Sequence, residues 1–168
     1  MCLTPKDEGF FCERPVISRN VIDIAKYILK VKGSMPWLKL NMICFAAQEA
    51  MMRHKGHPGG LFDEDFYAYA EAPVCKELLF ACRKTLEYNL SYDTFPGNCD
   101  LIPEEHKLFL ESIVDRYEFE IMDGKELADI AKTMSVYREA RKAMQNPFTN
   151  KPSDGRITKH DIFVNIHF

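Results

Sequence analysis

Ser34-Met35-Pro36-Trp37-Leu38-Lys39-Leu40-Asn41-Met42-Ile43-Cys44-Phe45-Ala46-Ala47-Gln48-Glu49-Ala50-Met51-Met52-Arg53-His54 decides the fold. Trp37, Leu38, Leu40, Met42, Ile43, Phe45, Ala46, Ala47, Ala50 and Met51 occupy nearly the whole circumference of a helix. A helix that is apolar all round is packed on by several others, so this is the expected central helix. Ser34 is its expected cap, with Pro36 tolerated in the first turn, where amides lack helical partners anyway. Gly56 lies just beyond its end.

Working outward, Val21, Ile24, Ala25, Ile28 and Leu29 form one helical stripe, with Ser18 or Asn20 as its cap and Gly33 as its stop. Gly56, Pro58, Gly59 and Gly60 break the helical pattern, and residues 61–72 read as a short extended segment. Pro73 opens an expected helix to about Tyr88, and Pro103 another that carries Leu108, Phe109, Ile113 and Val114. Asp123 and Glu126 have capping-box spacing. Ser135 is a candidate cap for a helix around Tyr137, Ala140 and Met144. Thr158 with Asp161 caps a last helix after a loop rich in Pro, Asn and Gly. The expected fold is mainly α, a bundle of about seven helices around the central one, with at most a short β element near residues 61–72.

The 168 residues suffice for one domain with a real core. Residues 1–17 have no period and read as an extended arm, leaving 18–168 as a single helical domain. No apolar run exceeds the six residues from Met42 to Ala47, far from the ~20 that span a bilayer, and no signal-peptide core is present. Scattered cysteines without a C-x-x-C pair fit free thiols in a reducing compartment. A cytoplasmic protein without membrane contact is expected. The net charge of −3 averages +4 over residues 1–60, −10 over 61–135 and +3 over 136–168. The acidic middle disfavours nucleic acid, which needs clustered cations, and suits a basic protein partner; carboxylates spread over several solvated helix faces would give the same count.

Catalytic constellations are thin, so no catalytic, cofactor or metal residue is assigned and an enzyme is not expected. His54 and His57 precede Asp63, Glu64 and Asp65 but flank a glycine loop instead of sharing a helical face. Asn150 to Asp161 imitates a calcium loop, yet Pro152 stands where an oxygen ligand is needed and Asp161 replaces the bidentate Glu. Cys75 lies near a helix start that would lower a thiol pKa, although a structural thiol explains it as well.

The order Val21-Ile22-Asp23-Ile24-Ala25-Lys26-Tyr27-Ile28-Leu29, Leu38-Lys39-Leu40, Ala46-Ala47-Gln48, Leu61-Phe62-Asp63-Glu64-Asp65-Phe66, Ala72-Pro73-Val74 and Glu77-Leu78 resembles the Panacea domain family. These are the SocA-like antitoxins, also described as phage-associated proteins. Tyr117, Glu126-Leu127 and Tyr137-Arg138-Glu139-Ala140-Arg141 resemble that family's closing helices. Ala72 stands where members usually carry Gly, and Thr133 is followed by Met134 where many have His. The resemblance implies an antitoxin that binds and neutralises a cognate toxin protein and can hand it to a Clp-type protease. The alternative is a phage or mobile-element regulator that binds host proteins or DNA.

Candidate partner contacts are Phe10 and Phe11 in the arm and Phe62, Asp63, Phe66, Tyr67, Tyr69 and Pro73 in the segment 61–74. Aromatic groups of this kind anchor interfaces. Phe62, Phe66 and Tyr69 equally suit closing the core of the bundle.

Overall fold

In a computed structural model, residues 17–146, 148 and 151–166 are described; Phe10 and Phe11 lie outside them. Helix α1 (Val21–Lys32) starts where the Asn20 side chain accepts the Ile22 N–H at 2.7 Å and stops at Gly33, whose φ of 101° suits glycine. Ser18 turns its hydroxyl to Asp23 instead. Helix α2 (Trp37–Lys55) begins two residues later than the Ser34 cap requires. Met35–Pro36 form strand β1, paired antiparallel with β4 (Asn89–Leu90), because Met35 and Leu90 bury together. Gly56 closes α2 in the left-handed region.

Residues 66–68 and 73–74 form strands β2 (Phe66–Ala68) and β3 (Pro73–Val74). With β5 (Arg156–Ile157) they make an antiparallel sheet in the order β3-β2-β5. The extended reading of this region therefore holds, but the helix start at Pro73 does not. The chain stays extended through Pro73, and α3 (Lys76–Thr85) follows Cys75. The helix also ends before Tyr88, with Leu86 left-handed at φ 59°.

Next come a 3-10 turn (Cys99–Leu101), α4 (Glu104–Val114) after Pro103, and the five-residue α5 (Tyr117–Ile121), which has too few residues to show a period. Asp123 and Glu126 form the complete capping box of α6 (Gly124–Ala131). Helix α7 (Ser135–Ala143) has no side-chain cap, because Ser135 is its first residue and bonds Asn165. Thr158 and Asp161 cap α8 (Lys159–Ile166) reciprocally: Thr158 N–H donates to Asp161 Oδ2 at 3.0 Å, and Asp161 N–H to Thr158 Oγ1 at 3.1 Å.

Among the described residues the protein is mainly helical, with eight α-helices and short strands around one hydrophobic core. Helix α2 runs through its middle and packs on α1, α3, α4, α6 and α8. No described helix is long and apolar enough to cross a membrane.

Helices α2 and α6 approach closely at Gly124. A Cβ on Gly124 would stand 2.7 Å from Lys39 N and 3.0 Å from Leu38 C, both backbone atoms that cannot rotate away. Gly124→Ala is therefore expected to push α6 off α2 and cost about 2 kcal/mol, read as a lower urea midpoint at unchanged m-value. A loss below half that would mean the helices separate freely.

Burial pushes the Asp161 carboxyl up, but the Lys151 ammonium at 2.9 Å and the two Thr158 hydrogen bonds outweigh it and hold it below its ordinary value. A carboxyl depressed by folding adds stability above its unfolded pKa and loses it as pH falls through the folded one. Asp161→Ala should cost about 1 kcal/mol at neutral pH. Its melting temperature should then fall less than that of the parent between pH 5 and pH 3. Parallel acid limbs in a thermal-melt series would refute this role for Asp161.

Candidate protein-binding surface

The segment from Gly59 to Cys75 has little regular structure, so its backbone needs partners from elsewhere. Side chains supply them. Gln48, buried in α2, accepts the Leu61 N–H at 2.6 Å and donates to Phe62 O at 2.9 Å. Two turns earlier, Asn41 donates to Pro73 O at 2.9 Å and accepts the Cys75 N–H at 3.1 Å. This second clamp keeps Pro73 out of the helix. Arg141 donates to Ala68 O at 2.9 Å, and Tyr137 to Tyr69 O at 2.5 Å. Arg19 donates to Gly59 O at 2.5 Å and to Asp63 Oδ1 at 2.8 Å. Glu64 accepts the Val21 N–H at the positive end of α1 at 3.0 Å.

The alternation of strand β2 sorts the candidate residues. Phe66 and Ala68 point inward, where Phe66 meets the Phe45 ring edge-on at 4.9 Å and lies beside Phe62. Phe62, Phe66 and Pro73 are buried, so they close the core and offer a partner nothing. Tyr67 points outward, half-buried beneath the Lys76 ammonium, 3.7 Å from its ring centroid. Asp63 and Tyr69 are exposed. The hydrogen bond from Arg19, joined by Lys159 at 3.3 Å, holds the Asp63 carboxyl below its ordinary value, whereas burial pushes Glu64 and Asp65 up.

Beside Tyr69 opens a cavity of about 510 Å³, floored by Trp37, Leu38, Val74 and Leu79 and rimmed by Glu71, Arg83, Lys125 and Asp129. Trp37, Leu79 and Arg83 continue into a second hollow under Leu86 and Tyr88. Such an apolar floor with a mixed rim suits an inserted side chain; it assembles no nucleophile and base.

The other candidates for chemistry fare differently. Burial pushes the Cys75 thiol up to about 12, the opposite of what a thiolate nucleophile needs. Among the described residues no three His, Cys, Asp or Glu side chains converge to hold a metal ion, so His54 and His57 assemble no site with Asp63, Glu64 and Asp65. The calcium-like loop is spent on cation partners and caps, since Asp154 pairs with Arg156 and Asp161 with Lys151.

The clamping residues Asn41, Gln48, Tyr137 and Arg141 are absent from the candidate contacts read from sequence. Their one local signal is that Asn41 and Gln48 are uncharged polar residues inside an otherwise apolar stretch. Comparison with protein-family models, curated proteins and solved structures finds no match to this chain.

Proposed function

We propose that the chain is an antitoxin-like binding module of the cytoplasm, which holds a toxin protein by direct contact and keeps it inactive. Presenting that toxin to a Clp-type protease is a further step of the same reading. One observation carries the proposal. Five polar members of the motifs that resemble the Panacea family tie down the single stretch 59–70: Gln48, Tyr137 and Arg141 bond to its backbone from α2 and α7, and Asp63 and Glu64 within it accept from Arg19 and the Val21 N–H. Residues that cooperate on one backbone segment are expected of a shared domain and not of chance matches. The acidic middle of the chain suits a basic partner.

The test is to express the gene adjacent to this one, alone and together with it. Growth arrest by the neighbour and relief by this protein are expected, with the two chains co-purifying. A harmless neighbour, or arrest that this protein does not relieve, overturns the proposal.

A further inference from the structure

Leu86 is the one residue other than glycine with a positive φ among the described residues, 59°, and its side chain is 93% exposed. A Cβ in the left-handed region is strained, and a leucine in water contributes nothing to the core. Neither cost is offset by a side-chain contact within the chain. Tyr88, two residues on, is 81% exposed. Both stand at the edge of the hollow of about 320 Å³ that Trp37 and Leu79 floor, and side chains so exposed do not fill it. Trp37 and Leu79 also floor the cavity beside Tyr69. One apolar trough therefore has protruding apolar side chains at one end and open space along the rest.

The charges that line the trough leave two without partners. Lys125 and Asp129 face each other at 3.8 Å, and Glu87 accepts the Thr94 hydroxyl. Glu71 and Arg83 are both exposed and line the same cavity, and among the described residues neither side chain has a hydrogen-bonding or ionic partner. One free charge of each sign is poorly matched to a uniformly basic or uniformly acidic surface, which meets a like charge at one of the two. It is matched by a surface that carries the same two charges in reverse order. A two-fold axis supplies that surface from a second copy of the chain, and sets the protrusion of each copy against the trough of the other.

We infer that this face joins two copies of the chain across a two-fold axis, with Leu86 of each seated on the Trp37 and Leu79 floor of the other and Glu71 of each against Arg83 of the other. The apolar anchor supplies affinity, and the two ion pairs supply register. This goes beyond the antitoxin reading, and its test needs no toxin.

The experiment is equilibrium sedimentation of the full chain over a hundredfold range of concentration. The mass should rise from one chain to two. Leu86→Gly relaxes the left-handed residue, so its thermal melt, taken at a dilution where the parent is a single chain, is not lowered. It should nevertheless weaken association at least tenfold. Glu71→Arg and Arg83→Glu, each alone, should also weaken association at least tenfold. An equimolar mixture of these two variants should associate within threefold of the parent, because every contact between positions 71 and 83 across the axis then joins opposite charges. A damaged fold could not be rescued in this way. A single chain at every concentration, a species of three or more chains, association by Leu86→Gly equal to the parent's, or no recovery in the mixture each overturns the inference.

Discussion

Phe66→Ala should lose about 4 kcal/mol of unfolding free energy, while Tyr69→Ala, three residues along the same segment, loses less than about 1 kcal/mol. Phe66 is 1% exposed and fills the angle between Phe45 and Phe62, where truncation removes both the transfer energy of the ring and its edge-on contact and leaves a void. Tyr69 has its ring at the rim of a groove, and its hydrogen bonds are made by the backbone, the N–H to Tyr67 O and the carbonyl to Tyr137. A ring at the rim, 39% exposed, loses far less on truncation than one in the core. Against a typical total stability of roughly 5–15 kcal/mol, the first change alone removes a large fraction. Urea titration of both variants at a common m-value measures the difference. Near-equal losses would put Phe66 outside the core and reopen it as a partner contact.

How much of this was legible in advance depends on whether the deciding contact was local. The stripe of α1 and the capping boxes at Asp123 and Thr158 are decided within four residues, and the sequence reads them correctly, while of its two candidate caps for α1, Ser18 and Asn20, the structure takes Asn20. Pro36 and Pro73 show the opposite case. A φ near −65° serves the first turn of a helix and an extended chain equally well, so the residue itself does not choose. Met35 is drawn out by Leu90 and Pro73 by Asn41, partners more than thirty residues away. The same holds for the candidate contacts. Aromatic composition marks 62–69 as important, but only the pairing of β2 with β3 and β5 says which rings face inward. The acidic middle was visible as a sum of charges.

Replacing Gln48 by Met and Asn41 by Leu should each cost about 3 kcal/mol, and the two losses should not add. Both substitutions nearly conserve volume in a helix that is apolar elsewhere, so hydrophobicity alone would favour them. What they remove is the hydrogen bonding of buried backbone: Leu61 N–H and Phe62 O in one case, Pro73 O and Cys75 N–H in the other. Each orphaned group costs roughly 1–3 kcal/mol because no water reaches it. Gly60 shows how closely the first clamp is fitted, since a Cβ there would lie 2.3 Å from Gln48 Oε1. The two amides stand seven residues apart on α2 and hold the two ends of one segment, so freeing either end lets the backbone between them reach solvent and relieves part of the second loss. A double-mutant cycle by urea denaturation should therefore show a coupling of at least about 1 kcal/mol, with the double variant more stable than the sum predicts. Strict additivity would mean that residues 61–75 are held as two independent halves, and the segment would then not be the single cooperative unit that Gln48, Tyr137 and Arg141 tie down.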